Sequence, residues 1–234
     1  MILSQVVDCT KLPLAVYILF GLFAVLSIVE CVFAFYEKEG PRKIIKPFCV
    51  AILGVIAIVY QPTAWLIYLG AFLGVAGDVL LIWKHNKKCF TFGMLAFLLG
   101  HLAYIAEIIV IIHPSISWPY YVAGGFLVLA FNLGFYHVTK KVVKDGKLAF
   151  VSNIYLSALG MVPIAALVGS CVGYFSYLFL TFLGGLAFVA SDSILAYTIF
   201  TCDIKRRDFF IMAFYLMGQA GIIFGLLLSL TALA

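Results

Sequence analysis

The stretch Ala64–Trp83 reads AWLIYLGAFLGVAGDVLLIW: twenty residues that carry one charge, Asp78, and a tryptophan near each end. About 20 apolar residues are what an α-helix needs to cross a bilayer. Trp65 and Trp83 stand where interfacial aromatic anchors belong. The stretch is therefore predicted to be a membrane span that holds a carboxyl group inside the hydrocarbon. The whole 234-residue chain has the same character, with 65% apolar and 11% charged residues. Soluble domains run at about 45–50% apolar and about 25% charged. The composition excludes a soluble enzyme, a disordered chain and a nucleic-acid binder built on a basic domain.

The same length rule finds eight spans: Leu12–Tyr36, Ile44–Tyr60, Ala64–Trp83, Phe90–His113, Trp118–His137, Leu148–Val168, Tyr174–Phe200 and Phe209–Ala234. The chain is predicted to be one all-α, polytopic membrane domain over residues 1–234. Its fifteen Lys and Arg bear this out independently. Lys11 aside, they cluster at Lys38–Lys46, Lys84–Lys88, Lys140–Lys147 and Lys205–Arg207, which are alternate connections between spans. The intervening connections carry none. The positive-inside rule puts the four basic connections in the cytosol and both termini in the lumen or outside. The first apolar run is too long for a cleavable signal and is expected to stay as a span. The six Cys form no CxxC pair, so no metal site is expected. Cys9 and Cys171 share the oxidising side and could pair.

Acids inside spans are costly, so each is a candidate functional group. Glu30, Asp78, Glu107 and Asp192 are the four, and His101 joins them. At about 1.5 Å per residue, Asp78 lies roughly 8 Å, Glu30 roughly 9 Å, Asp192 roughly 12 Å and His101 roughly 16 Å from the basic end. Tyr215 and Gln219 fall at similar depths in span 8. Asn153 and Ser157 share a face of span 6, and Asn132 and Tyr136 share one of span 5. Polar groups thus collect in the cytosolic half, as one cavity opening to that side requires. Glu30 and Glu107 also suit a structural hydrogen-bonding role.

Two of the acids have matching surroundings. Ala76-Gly77-Asp78-Val79-Leu80-Leu81-Ile82-Trp83 resembles Ala190-Ser191-Asp192-Ser193-Ile194-Leu195-Ala196-Tyr197, with an aromatic five positions after each Asp. Their spans, the third and seventh, run in the same direction. This suggests a parallel repeat with halves 12–113 and 118–234 about an axis along the membrane normal, which could bring the two carboxyl groups face to face.

The stretches Gly77-Asp78-x-x-Leu81-Ile82-Trp83, Phe90-x-x-Gly93-x-x-x-Phe97-x-x-x-His101-x-x-Tyr104 and Ser191-Asp192-x-x-Leu195-Ala196-x-x-x-Phe200 resemble the lysoplasmalogenase, or YhhN-like, family. Tyr215-x-x-x-Gln219 and Lys46-Pro47 add to the resemblance, which runs from span 2 to span 8. It implies an eight-span membrane hydrolase of the endoplasmic reticulum. Such an enzyme cleaves the vinyl ether bond of lysoplasmalogens to a fatty aldehyde and glycerophosphocholine or glycerophosphoethanolamine. The implied partners are a single-chain lysophospholipid, entering from the cytosolic leaflet, and the membrane lipids. Span 1 and Glu30 match no motif.

Vinyl ether hydrolysis begins with protonation at carbon, and water then adds to the oxocarbenium ion. Two carboxyl groups close together supply an acid and a base, since like charges at short range disfavour both ionising. Neither metal nor organic cofactor is needed. Asp78 and Asp192 are therefore the expected catalytic pair. His101, Tyr104, Tyr215, Gln219 and Asn153 are expected to bind substrate or water, and Lys46 the phosphate. No GxSxG elbow points to ester hydrolysis. An intramembrane aspartyl protease is excluded because Val79 follows Asp78 without the required Tyr-Asp pairing. A proton-coupled transporter is the alternative, but it needs a second polar layer, and the lumenal half offers little beyond Glu107 and His113.

Overall fold

Hydrocarbon offers the backbone no hydrogen-bonding partner, so each apolar stretch has to pair its own N–H and C=O groups, and a helix does so. The computed structural model describes residues 13–83, 86–113, 116–143, 146–172 and 175–232. They form α1 (Leu14–Phe35), α2 (Glu39–Tyr60), α3 (Trp65–Leu81), α4 (Lys87–Ile112), α5 (Trp118–Val142), α6 (Gly146–Ser170), α7 (Phe175–Phe200) and α8 (Arg207–Thr231). No strand occurs among the described residues. Seven of the helices are long and apolar enough to cross a membrane, and α3, with 17 residues, is the shorter one. Each helix corresponds to one predicted span. The protein is an all-α, polytopic integral membrane protein.

Several boundaries differ from the sequence reading; α5, for one, runs five residues past the expected His137, to Val142. Helix α2 begins at Glu39, five residues before the expected Ile44, so Lys46-Pro47 lies inside the helix instead of opening it. A hydropathy rule does not see this polar first turn. Pro47 has no N–H to give the Lys43 carbonyl. Helix α3 stops at Leu81, with Ile82 and Trp83 in a turn. Cys9, Lys11, Lys84, Lys144 and Tyr174 lie outside the described residues, and with Cys9 so does the expected pairing to Cys171.

Helix α8 is the centre of the bundle and packs against α1, α2, α3, α4 and α7. Helix α5 stands at the edge, where Thr139 is its one buried residue; Phe131 and Phe135 pack against the core, and most of its other large apolar side chains are exposed. The tightest pairs are α3 with α4 and α7 with α8. Glycines let them approach. A Cβ on Gly70 would lie 2.4 Å from the Tyr104 ring, and one on Gly77 2.7 Å from Phe97. A Cβ on Gly184 would lie 2.5 Å from the backbone nitrogen of Ile222. Gly184 and Asp192 on α7 repeat the spacing of Gly70 and Asp78 on α3. Helix α4 packs on α6 and α8 on α2, a pairing that exchange of the two halves preserves.

Gly184 meets main chain, which cannot swing aside. Gly184→Val should therefore cost about 3 kcal/mol. Gly125→Ala, on the open face of α5 with nothing within 4 Å, should stay within about 0.5 kcal/mol. Thermal unfolding in detergent measures both.

Candidate active site

Asp78 sits one turn after Gly74 on α3, where a Cβ would lie 3.2 Å from Gln219 on α8 and 3.6 Å from Val50 on α2, so those two helices come close to it. It is 2% exposed. Lys46 on α2 brings its Nζ to 2.9 Å from Asp78 Oδ1. Tyr215 on α8 donates its hydroxyl to Asp78 Oδ2 at 2.6 Å. The Lys46 ammonium also lies 4.7 Å from the centroid of the Tyr215 ring, a cation–π contact. Both carboxylate oxygens are thus engaged. A buried ion pair persists only when its geometry is this complete, because desolvating each charge costs several kcal/mol.

Asp192 on α7 has a different setting. Tyr155 on α6 donates to its Oδ2 at 2.7 Å. This partner is a neutral phenol, while the charge of Lys46 acts on Asp192 from further away. The neighbouring Ser191 donates to the Ile211 carbonyl at 3.0 Å and pins α7 to α8 beside the site. The aspartates are therefore held by separate tyrosines, one with an ammonium and one without.

Two cavities open at the end of the bundle that carries the basic connections. The first, about 390 Å³, is charged and has Glu30, Arg42, Lys43, Lys46, Asp78 and Arg207 in its wall. The second, about 510 Å³, lies among α4, α6, α7 and α8. Its wall is mostly apolar; Lys46, Lys87, Thr91, Ser152, Tyr155, Ser191, Asp192 and Tyr215 are its polar side chains. Both sizes suit a small-molecule site, for which about 300–1,000 Å³ is usual. Lys46 lines both.

Of the residues expected at the site, Asp78, Asp192, Lys46 and Tyr215 line these cavities. His101, Tyr104 and Gln219 lie a layer deeper. His101 Nδ1 is 2.9 Å from the Phe97 carbonyl, which can only accept, so Nδ1 carries the proton. Its Nε2 is buried without a partner. Tyr104 donates to Gln219 Oε1 at 3.1 Å and ties α4 to α8 beneath the site. Asn153 is not in either wall; its neighbours Ser152, Ile154 and Tyr155 are. Lys46 contacts Asp78 directly, so a phosphate would meet it already paired.

Sequence reasoning missed Tyr155, which lies about 14 Å into α6, close to the roughly 12 Å depth of Asp192 in α7. That match of depths was the available signal. It also missed Arg42, which bonds Glu30 Oε1 at 3.1 Å and Asp208 Oδ2 at 2.5 Å. This trio joins α1, α2 and α8 and gives Glu30 a structural partner.

Lys46→Met strands the buried Asp78 charge and should cost about 3–5 kcal/mol. Adding Asp78→Asn should recover most of that loss, as thermal unfolding of the single and double variants in detergent would show.

None of the curated proteins and none of the solved structures compared with the chain matches it. The model of the YhhN family matches residues 42–226. That range runs from the first turn of α2 into α8 and takes in every wall residue named above except Glu30. With most of its length and both aspartates inside the match, the chain belongs to the YhhN family.

Proposed function

We propose that this protein hydrolyses the vinyl ether bond of lysoplasmalogens, releasing a fatty aldehyde and glycerophosphocholine or glycerophosphoethanolamine. One observation carries the reading. Two carboxyl groups, the buried Asp78 and the half-buried Asp192, line adjoining cavities and have different partners, an ammonium at Asp78 and a phenol at Asp192. Environments that separate two carboxyl groups in this way are how acid and base roles are assigned. Membership of the YhhN family and the apolar chamber beside Asp192 support the choice of a lipid ether.

In this mechanism Asp192 is the carboxylic acid. It gives its proton to the vinyl carbon remote from oxygen, and the carbon next to oxygen becomes an oxocarbenium ion. Water bonds to that carbon while Asp78, the carboxylate, takes the water's proton. The hemiacetal then collapses. Its hydroxyl proton returns to Asp192, the bond to the glycerol oxygen breaks, and that oxygen receives the proton held by Asp78. Lys46 and Tyr215 keep Asp78 oriented, and Tyr155 does the same for Asp192. A saturated ether has no carbon to protonate and is inert.

The positive-inside rule puts the cavity mouths at the cytosolic face, in keeping with the endoplasmic reticulum location that the family resemblance implies. The transporter reading fares worse. The wall residues of both cavities come from the parts of α1 to α4 and α6 to α8 nearest the basic connections, and an alternating pathway has to reach the other face.

Purified protein should release aldehyde from lysoplasmenylethanolamine and none from its saturated ether analogue. Asp78→Asn and Asp192→Asn should each lower kcat by about 100-fold or more. No aldehyde from folded wild type with several headgroups, or full activity in both variants, would overturn the proposal.

A further inference from the structure

We infer that the two cavities are two arms of one lipid site, with the phosphate-bearing head in the charged chamber, the hydrocarbon chain in the apolar one, and the lipid bent between them at Lys46. The bent pose builds on the hydrolase reading for its chemistry, but the binding it describes does not need turnover.

The chambers are neighbours. Leu81, Phe90, Leu195, Ile199, Ile211 and Met212 line both, so the two chambers adjoin along these side chains. Lys46 is the one charged residue common to the two walls. A ligand that fills both chambers therefore passes Lys46, with Asp78 on one side and Asp192 on the other.

The charges of the first chamber suit a phosphate. Arg42 is held by Glu30 and Asp208, Lys46 by Asp78, and Arg207 by Asp203. Lys43 is exposed and has no carboxylate partner among the described residues. It is the cation at the mouth best placed to take a phosphate, as a point charge. A phosphate held at Lys43 would leave its lipid chain to run past Lys46 into the second chamber.

The second chamber suits a chain delivered by the bilayer. Leu95 on α4 and Ile154 on α6 are in its wall yet 44% and 51% exposed. The two helices meet closely at the opposite end, where a Cβ on Gly169 would lie 2.8 Å from Ile112. Nearer the basic end they leave the chamber open sideways, toward acyl chains. Leu98, on the turn after Met94, lies at the inner end of the chamber's α4 wall.

The test uses full-length protein in detergent and two non-hydrolysable probes, a saturated-ether lysophosphoethanolamine and the 1-alkylglycerol that lacks its phosphate. Binding is read by native mass spectrometry. Lys43→Gln should weaken the phospholipid about tenfold relative to the alkylglycerol, the scale of one charge-assisted contact. Inorganic phosphate alone should not displace either probe, since the head is held through its chain. Leu98→Trp should weaken long-chain probes more than short-chain ones, with either head. Met94→Phe, a smaller enlargement, repeats this arm if Leu98→Trp does not fold.

Equal effects of Lys43→Gln on both probes, or displacement by free phosphate, would overturn the head assignment. Equal effects on both chain lengths would overturn the chain assignment. Expected binding shifts without aldehyde release from the vinyl ether would refute the hydrolase reading and leave the two-arm site standing. Hydrolysis with no dependence of binding on Lys43 or Leu98 would do the reverse.

Discussion

The contact between the Lys46 ammonium and the Asp78 carboxylate, at 2.9 Å inside the bundle, is the constraint around which the rest is arranged. Neither charge can be abandoned in hydrocarbon. Helices α2 and α3 must therefore meet at this depth, and α8 must bring Tyr215 to the remaining carboxylate oxygen. The glycines of α3 follow from the same demand, because any side chain at Gly77 would push Phe97 out of the packing next to the pair. Phe97 in turn stacks edge-on against Tyr215 and Phe188, so the aromatic core of α4, α7 and α8 is built outward from the ion pair.

The second aspartate gains its meaning from the first. With the ammonium committed to Asp78, Asp192 is left with a phenol and a mainly apolar chamber. A matched pair of carboxyl groups, as the similar sequence contexts suggested, would have no reason to divide the labour. The division comes from what lies opposite each one, namely α2 with its lysine on one side and α6 with its tyrosine on the other. Tyr155 and Tyr215 perform equivalent tasks from different helices.

Much of this was legible before any coordinates. Asp78 and Asp192 stood out because a charge in a span needs a reason, and the alternation of basic connections counted the helices. Depth was readable too, since each residue of a helix advances it by a fixed rise. Rotation about the helix axis was not. His101, Tyr104 and Gln219 have the right depth but point into the layer beneath the cavities, and Asn153 points past them, while Tyr155 on the same helix turns inward. Arg42 was hidden for another reason. As a member of a basic cluster it read as a topology signal, and only the structure shows it reaching back to the otherwise unexplained Glu30. The first turn of α2 was missed because its residues are polar, although they are helical.

The 17 residues of α3 span about 25 Å, less than the roughly 30 Å of an average hydrocarbon core. A short span is accommodated by thinning of the surrounding lipid. Asp78 is three residues from the end of this helix, so the ion pair lies near the end of the bundle that carries the basic connections. A thinner bilayer there would shorten the path by which water and protons reach the pair, and a thicker one would lengthen it.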